Sequence, residues 1–353
     1  MRRMIFGVLF VCLGLVLGVG SAQAAAPFGS WLVLSPGYPT SHGYVEVASH
    51  PALNPTSGFT FEAWVAISNS TTGEDCRTIA GKNYIQAWWI GQCNVSGQPT
   101  LRSYLRGGGS AKNGGIIPRG VWTHVAVTSD GVTRNHYING VLAASFPETG
   151  PPTTSTSPLR IGSDVSWERT PTGAIDEVRL WSVARTAAQI NSLRGVPLTT
   201  AQPGLVAVWS LDSTGEDVVG GFDGSVLGVF SFASHPAPPG GPWLTSSSVP
   251  GFQFKVRITS GANIITGVKE NGCIAETLCV SGALPGRTEV FLRVIGPRPN
   301  GYLWPTIVRF TISQVEVWVE QTDTGLINYY LLDAVPADSD ELNGLVDRLG
   351  YLP

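Results

Sequence analysis

Residues 172–190 constrain the fold more tightly than any other stretch of this 353-residue chain. After Gly173, the apolar residues Ile175, Val178 and Leu180 are interleaved with Asp176, Glu177 and Arg179, the pattern of a strand with one wet edge. The period then changes. Thr186 is placed to cap a helix whose apolar positions are Ala187, Ile190 and Leu193. A strand running into a short surface helix is therefore expected. In a regular strand the neighbours Asp176 and Glu177 point to opposite faces, which argues against their acting as a pair.

The remaining pattern up to about Val229 is short strands separated by turns. Tyr44–Ala48, Phe59–Val65 and Trp122–Thr128 alternate, and Phe59, Phe61, Ala63 and Val65 share one face. Asn139-Gly140, between Arg134–Ile138 and Val141–Ala143, is the strongest hairpin signal in the chain. Charged residues make up only 13%, against 43 glycines and 25 prolines, a turn-rich, strand-rich profile. The fold class is all-β: an antiparallel jelly-roll sandwich followed by a second, smaller β-rich domain.

The ends and the cysteines set the compartment. Arg2 and Arg3, the apolar run Ile5–Val19 and Ala22-Gln23-Ala24 have the layout of a cleaved signal peptide over residues 1–24. Its apolar run of about 15 residues falls short of the roughly 20 a membrane span needs. No later run reaches that length, so no membrane insertion is expected after cleavage. With Cys12 in the leader, Cys76, Cys93, Cys273 and Cys279 remain, and their local spacing favours disulfides 76–93 and 273–279. No spacing suits a zinc site. The chain has 22 basic and 25 acidic residues and no basic run, so nucleic acid is not an expected partner. The expected destination is extracellular, with periplasm and cell surface as variants.

The ordered motifs Tyr44–Val47, Phe59–Val65, Trp122–Thr128, Tyr137–Gly140, Leu159–Gly162 and Ile175–Trp181 resemble those of the bacterial laminin-G-like, concanavalin A-like jelly roll, within the pentraxin-like superfamily. Leu205–Leu211 is similar to the returning strand of pentraxin-like members. The expected layout is a laminin-G-like domain over 28–232, a Pro/Gly linker over 233–244 and a small β-rich domain over 245–353. In the last, Phe252–Ile258, Glu289–Ile295 and Val315–Glu320 read as strands, and a closing helix could begin at Ser339.

The resemblance implies recognition of a ligand, a glycan or an extracellular or cell-envelope protein, rather than chemistry on it. Its rivals are a glycoside hydrolase or lyase on the same fold, and a purely structural surface protein. Hydrolysis requires two carboxyls at a defined separation, and the strands offer no such alternating acids. No Gly-x-Ser-x-Gly elbow, P-loop or dinucleotide fingerprint occurs. Trp167, Trp88, Asn83 and Tyr84 are the candidate ligand contacts, because sugar sites combine flat rings with a few amides. Since neighbours on a strand face opposite ways, at most one of Trp88 and Trp89 could be exposed. The resemblance further implies at most one calcium ion, with Asp176 and Asp164 as its oxygen ligands; the alternative for Asp176 is a structural carboxylate accepting backbone amides.

Overall fold

The structure is a computed structural model. It describes residues 29–34, 42–67, 76–107, 111–120, 122–166, 169–234, 239–245, 251–260, 262–269, 278–281, 290–295, 304–309, 314–321, 326–332 and 344–346. The leader, Trp167 and Cys273 lie outside the described residues.

Among the described residues, fifteen strands and one α-helix form the first body. They are β1 (Ser30–Leu34), β2 (Tyr44–Val47), β3 (Phe59–Ile67), β4 (Cys76–Gly81), β5 (Trp89–Val95), β6 (Gln98–Tyr104), β7 (Lys112–Ile116) and β8 (Thr123–Ser129). There follow β9 (Thr133–Ile138), β10 (Val141–Pro147), β11 (Leu159–Ile161), β12 (Gly173–Trp181), α1 (Ala187–Leu193), β13 (Leu205–Trp209), β14 (Gly224–Leu227) and β15 (Phe230–Ser234). The first sheet runs β10-β9-β8-β3-β12-β1-β15, with β13 also on β12; the second runs β14-β2-β11-β4-β5-β6-β7. Every pairing is antiparallel, including β1 with β12 and β15, and β2 with β11 and β14. Ala233 and Ser234, which the sequence pattern gives to the linker, are the end of β15 and pair with Trp31 and Ser30.

The two sheets enclose one apolar core. Alternate residues of β3 (Phe59, Phe61, Ala63, Val65 and Ile67) are fully buried against Val45, Ile79, Ile90 and Leu101 of the second sheet. Burial of apolar area on this scale is what holds such a sandwich together, at about 25 cal/mol per Å². The β9–β10 hairpin turns at Asn139 and Gly140, whose φ values are 50° and 73°, the signature of a type I′ turn. Thr186 caps α1 with a reciprocal Thr186–Gln189 capping box. Ile190 then buries against Ala126 and Tyr137 on the outer side of the first sheet.

β12 departs from the regular strand. A bulge shifts its register against β3 between Asp176 and Arg179, and Glu177 adopts φ 48°. Ile175 and Val178 both face the core, so two residues, not one, separate inward positions. Asp176 faces outward opposite Trp64, and Glu177 reaches Arg179 on that same side. The opposite-face expectation for these acids is thus overturned by the inserted residue. Gly173 is required at the entry: its φ is +144°, and an added Cβ would sit 2.1 Å from the Ala66 carbonyl oxygen.

A second body follows from β16 (Leu244–Thr245) through β17 (Phe252–Ser260), β18 (Asn263–Thr266), β19 (Val268–Lys269) and β20 (Leu278–Ser281). It continues with β21 (Val290–Ile295), β22 (Trp304–Arg309), β23 (Gln314–Gln321), β24 (Leu326–Leu332) and β25 (Gly344–Val346). Its sheets are β16-β17-β23-β24, with β18 on β17, and β19-β20-β21-β22-β25. Phe252, Phe254, Val256 and Ile258 form its core with Val280, Leu292 and Val317. On the other face of β17, Arg257 makes a bidentate pair with Glu316 at 2.5 and 2.6 Å. Gly344–Val346 pairs with β22 rather than continuing a helix from Ser339. Gly344 is a poor helix residue and Val346 a β-branched one, and pairing satisfies the backbone edge of β22.

Candidate functional site

The outer face of the second sheet carries one cross-strand row: Glu46, Arg160, Gly81, Trp89 and Tyr104, each directly opposite the next. Alternation alone brings them together, because inward neighbours such as Val45, Ile161, Ile90 and Leu105 fill the core. At one end Arg160 pairs with Glu46 at 2.8 Å and lies 4.4 Å over the Tyr44 ring. At the other end, Tyr104 stands edge-on to Trp89 (5.7 Å) and to Tyr84 (4.9 Å, 87°). Both tyrosines are half-buried.

The adjoining row is Thr78, Gly91, Arg102 and Asn113. The Trp89 ring lies over Gly91, where a Cβ would come within 2.4 Å of it, and its indole N–H donates to Thr78 Oγ1 at 2.8 Å. Arg102 donates from Nε to Asn113 Oδ1 at 2.5 Å and from Nη1 to Cys76 Sγ at 3.5 Å. Cys76 faces Cys93 across the strands and is bonded to it, as its spacing indicated. Cys279 is also disulfide-bonded. Burial and the neighbouring Tyr104 hydroxyl push the Tyr84 phenol above its ordinary pKa. The result is an aromatic and hydrogen-bonding surface set on locked strands.

Asp164 closes this site from above. Its Oδ2 accepts from the Asn83 amide at 2.9 Å, and its Oδ1 from the Tyr84 and Ser166 amides at 3.0 and 2.8 Å. The Tyr84 amide also reaches Oδ2 at 3.1 Å. Only a residue without a side chain fits beneath, since a Cβ on Gly81 would lie 2.4 Å from Asp164 Oδ2. Asn83, at φ 80°, accepts from the Ile85 and Gln86 amides through Oδ1 and donates to Ser157 Oγ. It braces a turn.

Several other acids of the first body have partners of their own. Glu62 pairs with Arg185 at 2.6 Å, and its carboxyl is held down to about 2 by His124 and Arg185 against the opposing effect of burial. Glu177 pairs with Arg179 at 2.7 Å, and Asp217 accepts the Val208, Val219, Gly220 and Phe222 amides. Asp176 differs: it is fully buried, and neither carboxylate oxygen has a hydrogen-bond partner. Burial, then Glu177 and Asp212, push its carboxyl well above the usual range. Among the described residues no three His, Cys, Asp or Glu side chains gather as a metal-binding set.

Residues 39–191 match the family model of the concanavalin A-like lectin/glucanases superfamily. That stretch is a laminin-G-like jelly roll. Among curated proteins, none matches the chain significantly. Similar solved structures include a Bacteroides ovatus protein provisionally described as carbohydrate-binding, 23% identical, covering 61% of each chain, TM-score 0.47. This chain thus spans under two thirds of that protein's length. A heptameric SAP-like pentraxin from Limulus polyphemus is 16% identical over 60% of this chain and 98% of its own, TM-score 0.43. Domain 4 of an extracellular arabinanase from Geobacillus stearothermophilus, in complex with arabinotriose, is 23% identical over 46% and 80%, TM-score 0.35.

Within the laminin-G-like domain the predicted contacts part company. Tyr84 lies at the site. Trp88 does not: it is fully buried between the sheets, 5.5 Å from Phe59 and 5.9 Å from Phe61. Trp89, also buried, lines the floor of the site instead. Asp164 and Asp176 belong to different places, the first on the second sheet and the second on the far side of the first. Asp164 is already engaged by three backbone amides, which make four contacts to its two oxygens. Asp176 has no such amide set around its two oxygens. Tyr104 and Arg102 were missed, although the period-two run Thr100, Arg102, Tyr104 was there to find them.

Proposed function

We propose that this protein is an exported, non-catalytic recognition protein that binds a glycan on the outer face of its second sheet. The observation that carries this reading is the half-exposed Tyr84–Tyr104 pair beside the pinned Arg102 guanidinium. Rings offer apolar faces to a sugar while phenol and guanidinium groups direct hydrogen bonds, and strands already locked lose little entropy on binding. Trp167, next to Ser166, is proposed as a further contact. The signal-like leader and the Cys76–Cys93 bond support export.

The test is affinity electrophoresis of full-length protein in gels containing arabinan, β-glucan, xylan or mannan. Retardation by at least one, relieved by Tyr84→Ala or Tyr104→Ala, is expected. Absence of retardation by any of them, with a stable protein partner in pull-downs, would favour an extracellular or cell-envelope protein as ligand. Release of reducing ends from these polymers would instead establish a hydrolase.

A second reading concerns Asp176. A buried carboxylate with two unpaired oxygens suits a hard cation, and we propose one calcium ion there, serving the fold. Calorimetric titration of chelator-stripped protein should show one binding event that Asp176→Asn abolishes; no heat in the unsubstituted protein removes the idea.

A further inference from the structure

We propose that Asp164 is the positioning residue of the tyrosine site and that it works without metal: backbone amides, rather than a cation, lock the turn that presents Tyr84. This rests on the proposed glycan site. The carboxylate gathers the amides of Asn83, Tyr84 and Ser166, which come from two segments more than 80 positions apart in sequence. One of these amides belongs to Tyr84 itself, so the backbone that sets the ring against Tyr104 hangs directly on Asp164.

The surroundings are built for this. Gly81 leaves the space in which the carboxylate sits, and Asn83 takes up a left-handed conformation that turns successive amides toward acceptors. Ser166 also donates its hydroxyl to Asn83 Oδ1 at 3.1 Å, closing the ring of contacts from the other segment. N–H groups aimed at both oxygens put partial positive charge where a divalent ion would otherwise be. A cation added there would have to displace them. Hydrogen bonds to an ionised carboxylate are among the stronger ones proteins make, so three of them hold the turn firmly.

Hydrogen exchange of the full-length protein tests this directly. The amides of Asn83, Tyr84 and Ser166 should exchange at the same slow rate in chelator and in saturating calcium. Asp164→Ala should speed them about tenfold or more, equivalent to losing at least one charge-assisted bond. Retardation on whichever of arabinan, β-glucan, xylan or mannan retains the unsubstituted protein should be unchanged by chelator and reduced by Asp164→Ala. Slower exchange or stronger retardation on adding calcium would overturn the proposal, as would unsubstituted-like exchange in Asp164→Ala. Should that variant fail to fold, the chelator and calcium arms on the unsubstituted protein still decide. A protein that no polysaccharide retards would end the glycan reading, while the exchange measurements would still judge Asp164.

Discussion

Arg185 donates to Glu62 at 2.6 Å, and that bond ties the segment leading into α1 to the centre of the first sheet. Glu62 is completely buried, with His124 Nε2 3.4 Å from its other oxygen. Arg185 also stacks 3.9 Å over Trp181 and donates to the Gln189 carbonyl. Removing the guanidinium leaves a buried carboxylate without its strongest counter-charge. Arg185→Ala should therefore cost about 3–5 kcal/mol, read by urea denaturation. A loss below about 1 kcal/mol would mean that Glu62 finds another partner or takes up a proton.

His136 gives stability a defined pH slope. It is buried, with Nε2 2.7 Å from Ser103 Oγ and Nδ1 3.1 Å from the Gly114 carbonyl, and burial lowers its pKa from 6.5 to about 4. A depressed histidine stabilises fully above its unfolded pKa, and that contribution fades as pH falls from 6.5 toward 4. The whole effect is on the order of 3 kcal/mol. His136→Gln should therefore flatten the fall in stability between about pH 6 and 4.5 by roughly 1 kcal/mol per pH unit. His124, lowered to about 4 for the same reason, should behave alike. Asp176 and Glu177, both raised by burial, oppose this trend, so the comparison must be between variant and parent. Parallel slopes would show that His136 titrates alike in the folded and unfolded protein.

Much of this architecture was legible because local pattern and tertiary demand agree. The alternation of Phe59–Val65, the Asn139-Gly140 turn and the Thr186 cap each specify backbone and burial together. The bulge in β12 was hidden because Asp176 and Glu177 are compatible with a regular strand; only the core positions of Ile175 and Val178 expose the extra residue. Trp88 was misplaced for a related reason. Composition marks tryptophan as a sugar platform, but Trp88, just before β5, turns into the core and Trp89, its first residue, lies over Gly91. The site itself is spread over β4, β5, β6 and the loop after β11, and no single stretch of sequence shows such a juxtaposition.

The Cys76–Cys93 bond closes a loop of 17 positions beneath the site. A loop of that size is worth about 3 kcal/mol in the chain-entropy view. The Cys76→Ala, Cys93→Ala double variant should lose about that much stability in urea denaturation, and it should also loosen Arg102, which donates to Cys76 Sγ. A stability loss with full glycan retention would confine the disulfide to a structural role.

Trp88 and Tyr104 provide the sharpest contrast between core and site. Tyr104 is half-exposed at the edge of β6, so Tyr104→Ala should leave the melting temperature within a few degrees while weakening glycan retention by about tenfold or more, as loss of a central aromatic contact does. Trp88 is sealed between the sheets against Phe59 and Phe61. Trp88→Ala should cost about 3–5 kcal/mol, and any binding lost should return in proportion to the folded fraction once osmolyte restores it. Binding that stays lost in fully refolded Trp88→Ala, with Tyr104→Ala behaving as the parent, would move the site off this face altogether.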